Sequence, residues 1–126
     1  MLAMVEVVAT DEFADWYRSI ADRQADAVAV AVERLEQLGL ALDVPYSSAV
    51  RGASFALREL RIKTGGRALR VMYAFDPIRQ AVLLIGGDKS GEKRFYERLV
   101  AEAEEIGKAY LAEMRHEDAS LARHPA

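Results

Sequence analysis

The chain has 126 residues, no cysteine and a formal net charge of -3. This length fits one domain, and the absence of cysteine excludes thiolate catalysis, disulfide bonds and metal sites built on sulfur. No segment approaches the roughly 20 apolar residues that cross a bilayer, and the N-terminus has no basic region of the signal-peptide type. We therefore expect one soluble, cytoplasmic domain over residues 1–126, with a frayed tail over about residues 116–126.

The charge is distributed very unevenly along the chain. Residues 1–50 hold three basic and nine acidic side chains, residues 51–94 hold ten basic and four acidic, and residues 95–126 hold four basic and seven acidic, for net charges of -6, +6 and -3. An anionic ligand responds to the local field of a basic surface, because charges beyond a Debye length of roughly 8 Å are screened at physiological salt. The acidic total therefore does not exclude a nucleic-acid partner.

The N-terminal third predicts one strand and two helices. Residues 2–9 are rich in valine, and Thr10 is a suitable N-cap for a helix over 11–19. Asp22 is the expected cap of a second helix with apolar residues at helical spacing, and Gly39 is its natural stop. Two consecutive helices after one strand suggest a helical hairpin packed on a sheet.

The rest of the chain predicts a loop, three strands and a long helix. Residues 40–54 show no sustained period and are interpreted as a loop. The three strands are predicted over residues 55–63, 67–75 and 81–86. Their short connections indicate an antiparallel meander, and the third strand, apolar on both faces, is expected to be central. Ser90 is the expected cap of a helix from about Glu92 to Arg115 or beyond. The predicted fold class is α+β, an N-terminal strand and helical hairpin packed on an antiparallel sheet, with a long C-terminal helix.

The first two strands of the meander form a hairpin with an unusual concentration of basic residues, RELRIKTGGRALRVMY over residues 58–73. If Gly65-Gly66 forms the two-residue type I′ or II′ turn that this dipeptide favours, Arg61 stands opposite Arg70. A longer loop with a bulge, including Thr64, would shift the register by one residue. Alternation of side chains places Arg70 on the outer face, away from the apolar core.

Two opposed arginines destabilise a hairpin unless negative charge relieves them. Glu59 shares the face of Arg61 and would supply part of that relief, which makes an ordinary solvated face with a Glu-Arg pair one interpretation. An oxyanion or phosphate site is the other. Lys89 follows the third strand near the start of the last helix, where it would either add to an anion site or lie exposed in a turn.

Familiar catalytic arrangements are missing from the sequence. The two histidines, His116 and His124, belong to the C-terminal tail, so a histidine base at the hairpin is not expected. No Ser-His-Asp set, paired carboxylates or GxxxxGK[ST] phosphate loop can be assembled. Tyr73 has the parity of the core, and Tyr96 is only a weak candidate for proton transfer. We expect no metal and no small-molecule cofactor.

Three short motifs in this order resemble the RelE/ParE superfamily of bacterial toxins, and within it the HigB or phage Gp49-like branch. They are Leu57-Arg58-Glu59-Leu60-Arg61, Arg70-Val71-Met72-Tyr73 and Leu83-Leu84-Ile85-Gly86-Gly87-Asp88-Lys89. The resemblance is strongest over residues 55–110. Leu69 departs from the pattern, because an aromatic residue often precedes the strand arginine in this branch.

The resemblance implies the toxin of a type II toxin-antitoxin pair, a ribosome-dependent mRNA endoribonuclease that inhibits translation. On that basis Arg61 and Arg70 would clamp the scissile phosphate, Lys89 would stabilise the transition state or protonate the leaving oxygen, and Glu59 would orient Arg61. Further RNA or phosphate contacts are expected from Arg58, Lys63, Arg67 and Lys93.

The resemblance also implies partners and two alternatives. The expected partners are an antitoxin, with a helix-turn-helix domain by analogy, together with the ribosome and mRNA, and no membrane. The long C-terminal helix, with Arg94, Arg98 and Lys108, would be either part of the antitoxin interface or a helix with an ordinary charged outer face. One alternative is a toxin of the same fold that acts by protein binding, such as gyrase inhibition. The other is an inactive phage-derived remnant.

Overall fold

The computed structural model of the protein describes residues 4–123. This part of the chain forms three α-helices, five β-strands and a short 3-10 helix over Gly39–Ala41, which confirms the α+β class. The elements in chain order are β1 (Val7–Ala9), α1 (Asp11–Ser19), α2 (Asp22–Leu38), β2 (Ser47–Ala49), β3 (Arg58–Thr64), β4 (Arg67–Phe75), β5 (Ala81–Asp88) and α3 (Lys93–Arg123).

The strands form one sheet in the order β1-β5-β4-β3-β2. The meander β3-β4-β5 is antiparallel as predicted, whereas β1 runs parallel to β5. The prediction that the third strand of the meander is central is wrong, because β1 and β2 join at opposite edges and leave β4 in the middle. β5 is nevertheless covered on both faces, by α1 and by α3, which explains its continuous apolar sequence.

Helix ends follow local chemistry closely. The Thr10 hydroxyl accepts a hydrogen bond from the Phe13 N–H (3.1 Å) and donates one to the Leu84 carbonyl (2.7 Å), so the predicted cap also ties α1 to the sheet. The N-cap of α2 is Ala21 rather than the predicted Asp22, which is the first helical residue and faces the positive end of the helix dipole. Gly39 ends α2 with a φ of +51°, a conformation that glycine adopts without a Cβ penalty.

The sheet separates two apolar cores. On one face, α1 and α2 pack Phe13, Val28 and Leu35 against the inward side chains of β3, β4 and β5. On the other face, α3 packs Leu99 and Ala103 against the opposite set of strand residues. This two-sided cover buries residues 69–74 of β4 on both faces.

Several boundaries differ from the prediction. Residues 47–49, inside the predicted loop, form the edge strand β2, which pairs with β3 across Ser47↔Leu60. The predicted strand over 2–9 is limited to Val7–Ala9, and residues 1–3 lie outside the described part of the chain. Ser90 does not cap α3, which begins at Lys93. Its Oγ instead accepts a hydrogen bond from the Ala68 N–H (2.6 Å).

The C-terminal helix is longer than its predicted minimum. It extends to Arg123, so most of the predicted tail over 116–126 is helical, and residues 124–126 lie outside the described chain. Among residues 4–123, no helical segment combines the length and hydropathy needed to cross a lipid bilayer.

Candidate phosphate-binding site

The β3–β4 hairpin has the register predicted from its two-residue turn. Gly65 and Gly66 have φ values of +54° and +78°, as a type I′ turn requires, and Arg61 is the partner of Arg70. The Arg61 N–H donates to the Tyr46 carbonyl (2.9 Å), on the side away from β4. Arg61 and Arg70 are therefore a non-hydrogen-bonded pair, the type in which opposed residues lie closest.

The two arginines differ sharply in burial. Arg61 is exposed, but Arg70 is only 5% exposed. The prediction that Arg70 lies on an outer face is wrong, because the N-terminal half of α3 covers this face of the sheet. The same cover excludes the interpretation of the Glu-Arg pair as part of a solvated surface.

Arg70 is buried with incomplete hydrogen bonding. Its Nη1 donates to the Leu69 carbonyl (3.0 Å), while its Nε lies 3.7 Å from Glu59 Oε1 and makes no hydrogen bond. Burial lowers the pKa of Arg70, the charge of Glu59 opposes that shift, and the neighbouring charge of Arg61 adds to it. Since an arginine stays protonated at neutral pH, the protein keeps a buried positive charge beneath an exposed one.

Glu59 is the acidic centre of this region and is 6% exposed. Its Oε2 accepts a hydrogen bond from the Tyr96 hydroxyl (2.6 Å), and its Oε1 accepts one from the Ser48 hydroxyl (3.3 Å). Glu59 thus contacts Arg70 and Tyr96, whereas the sequence interpretation assigned it to Arg61. Burial and the bond to Glu59 raise the pKa of Tyr96, so its phenol is protonated at neutral pH.

Lys89, the residue directly after β5, lies beside Tyr96. Its backbone N–H donates to the Ala68 carbonyl (2.7 Å), which extends the pairing of β4 and β5, and its Nζ lies 4.5 Å from the centroid of the Tyr96 ring. Through Tyr96 and Glu59, Lys89 is connected to Arg70, which is the strand partner of Arg61. We call the three cations Arg61, Arg70 and Lys89 the basic cluster.

The other predicted RNA-binding residues are placed differently. Arg58 faces α2, on the opposite side of the sheet from Arg61, where its Nε donates to Ser47 Oγ (3.2 Å) and Tyr73 Oη (3.3 Å). The structure therefore does not bring Arg58 to the basic cluster. Lys63 shares the face of Arg61 and is exposed.

Arg67 and Lys93 lie at the margins of the site. Arg67 is at the turn, where its Nη1 lies 3.5 Å from Asp88 Oδ2. Partial burial would raise the pKa of Asp88, but hydrogen bonds from Ser90 and the charge of Arg67 outweigh it, so this pKa is below its ordinary value. Lys93 is the exposed first residue of α3.

Sequence reasoning missed Ser48, which supports Glu59 from β2. Its pairing with Glu59 is non-local, and no apolar alternation marks β2 as a strand, so no local signal identifies it. The described residues contain no group of three or more His, Asp or Glu side chains arranged to hold a metal ion.

Comparisons with known proteins place this chain in a family. Residues 15–108 match the model of the phage-derived Gp49-like proteins, DUF891. Two Mycobacterium tuberculosis proteins named as toxins are each 35% identical to this chain. The match to HigB3 spans 99 residues, which are 77% of this chain and 85% of HigB3. The match to HigB2 spans 101 residues, which are 78% of this chain and 50% of HigB2. The chain therefore spans half the length of HigB2. Because the family match covers most of the chain, the protein belongs to the phage-derived Gp49-like family, in the branch that contains these HigB proteins.

Proposed function

We propose that this protein is the toxin of a type II toxin-antitoxin pair and inhibits translation by cleaving mRNA on the ribosome. The observation that carries the proposal is the basic cluster, in which the paired strands β3 and β4 set Arg61 opposite Arg70, and Lys89 follows β5 and lies against Tyr96. Two relatives named as HigB toxins share 35% identity with the chain, which supports the same assignment.

The chemistry of RNA cleavage suits a cluster of cations. Attack of a 2′-OH on the adjacent phosphate adds negative charge to the phosphoryl oxygens in the transition state, and prearranged donors stabilise that charge. Arg61 and Lys89 are exposed, so their side chains reach a bound phosphate directly. Arg70 is buried and acts as a positioning residue, because its charge raises the local potential beneath Arg61.

Tyr96 lies against the Lys89 ammonium of the basic cluster, and its role is to support the charged side chains. Tyr96 does not serve as a general base at neutral pH, because its pKa is raised and its hydroxyl, which keeps its proton, donates a hydrogen bond to Glu59. Its proposed roles are to hold Glu59 against Arg70 and to support the Lys89 ammonium on its ring. Lys63 and Lys93 extend the basic surface along the path of the RNA.

The proposed partners follow from the same assignment. The toxin would act in the cytoplasm on ribosome-bound mRNA, and an antitoxin with a helix-turn-helix domain would neutralise it. An adjacent short reading frame encoding such a domain would support this part of the proposal. A neighbouring gene of unrelated type would count against it.

Induction of the chain in bacterial cells, with mapping of mRNA 5′ ends, tests the proposal. We expect cleavage at positions linked to the codon frame for wild type and for Arg23→Ala, a matched exposed arginine on α2, and little cleavage for Arg61→Ala. If mRNA stays intact and DNA damage signalling is induced, the result would contradict the nuclease proposal and favour a gyrase inhibitor. Equal growth of cells with and without the induced chain would indicate an inactive remnant.

A further inference from the structure

The outer edge of β3 is paired along only part of its length. β2 covers Arg58 to Leu60, and the Tyr46 carbonyl accepts the Arg61 N–H. Beyond that point, no strand within the described residues pairs with the outer edge. Backbone groups in a strand point alternately to its two sides, so those of Lys63 point outward like those of Arg61. Lys63 therefore presents a free N–H and C=O at an open strand edge.

A groove of about 500 Å³ runs along this open edge, between β3 and α2. The side chains between the sheet and α2 are mainly apolar, Ala27 and Val30 on the helix and Ile62 on β3, and Arg34 of α2 lies beside them. Val30 is 55% exposed, which is unusual for a large apolar residue facing a groove. The groove thus resembles the space that another strand would occupy beside β3.

The charge along this groove has one sign. Four of the lining residues are basic and none is acidic: Arg34, Arg61, Lys63 and Arg70. Arg61 and Lys63 share the face directed toward α3, whereas Ile62 faces α2. A strand placed here would meet Arg61 and Lys63 on one face, and on the other face mainly apolar side chains together with Arg34 of α2.

We propose that this groove binds an extended, acidic segment of a partner protein, which adds a strand to the outer edge of β3. Strand addition of this kind takes affinity from backbone hydrogen bonds and specificity from alternate side chains. The matching segment alternates acidic residues, facing Arg61 and Lys63, with small apolar residues, facing Val30 and Ile62. If the proposed nuclease function is correct, the same segment would exclude RNA from Arg61.

An extended peptide fits the open edge and the apolar wall of this groove better than RNA does. A peptide backbone supplies both the acceptor and the donor that the free N–H and C=O of Lys63 require. RNA would satisfy the cations but would leave the apolar wall at Val30 without a complementary partner. The combination of open edge, apolar wall and uniform positive charge therefore favours a peptide.

The test uses the full chain and a blocked seven-residue peptide that alternates Glu and Val. Binding is measured by fluorescence anisotropy, and amide hydrogen exchange is followed over residues 61–64. Lys63→Gln keeps the backbone N–H and removes the charge, and should weaken binding by up to about fivefold. Lys63→Pro removes the N–H as well, at an edge position that tolerates proline, and should weaken it about tenfold further.

A second variant does not alter the strand. Val30→Glu changes an exposed helical residue, so the fold should be kept, and we expect weaker peptide binding because the new carboxylate repels the acidic peptide. A peptide with the same composition in which Glu and Val are grouped in blocks should bind less tightly than the alternating one.

Three results would overturn the inference: no measurable binding of the alternating peptide, equal binding by Lys63→Gln and Lys63→Pro, or protection of the Lys63 amide by an RNA oligonucleotide but not by the peptide. Thermal unfolding of each variant establishes that it is folded. No ribosome is used in these measurements, so their failure would leave the nuclease proposal standing, and failure of mRNA cleavage would leave the peptide site standing.

Discussion

The two faces of the β3–β4 hairpin bury different kinds of side chain. Toward α1 and α2, the paired residues Leu60↔Val71 and Ile62↔Leu69 are apolar and at most 5% exposed. Toward α3, the pair Glu59↔Met72 adjoins Arg61↔Arg70, and the buried carboxylate and guanidinium lie 3.7 Å apart. The same two strands therefore carry an ordinary core on one side and a desolvated ion pair on the other.

The difference supports the proposal that the α3 face carries the functional site. Burying apolar side chains stabilises a domain, whereas burying charges costs desolvation energy that their mutual attraction often does not offset. The α3 face nevertheless buries Glu59 and Arg70, and the Arg70 Nε makes no hydrogen bond. Such a face is poorly explained by stability alone, and an anion held at Arg61 would relieve the repulsion between the two arginines.

The largest expected effect comes from breaking the ion pair on the α3 face. Glu59→Ala leaves the Arg70 charge buried and uncompensated, so we expect a loss of about 3–5 kcal/mol in the free energy of unfolding, measured with urea. The double variant Glu59→Leu/Arg70→Met makes this face apolar like the other and should recover most of the loss. A Glu59→Ala variant with the same free energy of unfolding as wild type would contradict this prediction.

A matched change on the apolar face should cost a similar amount for a different reason. Leu60→Ala removes a side chain that is 1% exposed and leaves a cavity, so we expect a loss of about 2–5 kcal/mol. Urea unfolding measures it. RNA cleavage per folded molecule should remain near wild type, and a strong loss of cleavage at full folding would show that the two faces are not separate in function.

A smaller effect is expected where α3 contacts the charged face. Tyr96→Phe removes the donor to Glu59 and should cost about 1.5–3 kcal/mol, the usual range for a hydrogen bond to a charged group. Because the pKa of Tyr96 is raised in the folded state, its contribution is fully present below pH 10.0, the ordinary value, and is lost as pH rises beyond it. The stability difference between wild type and Tyr96→Phe should therefore narrow in alkaline solution. A constant difference would contradict the assignment.

The smallest effect distinguishes the two arginines. Arg61→Ala relieves like-charge repulsion at an exposed site, so we expect no loss of stability and a gain of up to about 1 kcal/mol. Thermal unfolding beside Arg23→Ala measures it. A clear destabilisation by Arg61→Ala would show that Arg61 supports the fold.

Local chemistry was enough to predict the hairpin. Two glycines specify a tight turn, the turn specifies the register, and the opposition of Arg61 and Arg70 follows. The Thr10 cap and the Gly39 stop are equally local, and the order of elements was sufficient for the α+β class. The family resemblance rests on the same short segments.

Long-range packing could not be predicted in this way. Alternation assigns Arg70 to a face but does not reveal that α3 covers it, because the covering helix lies more than twenty residues further along the chain. The strand Ser47–Ala49 has no apolar alternation and exists only through its pairing with β3. Glu59 likewise finds its partners Ser48 and Tyr96 through tertiary structure.

The most direct test of the central claim is the rate of mRNA cleavage by the purified protein on programmed ribosomes. We predict that Arg61→Ala lowers the single-turnover rate about 10²- to 10³-fold, the usual effect of removing one donor to a developing oxyanion, while Arg23→Ala retains the wild-type rate. Thermal unfolding should show both variants folded. Equal rates for wild type and a folded Arg61→Ala variant would contradict the assignment of the basic cluster as the phosphate site.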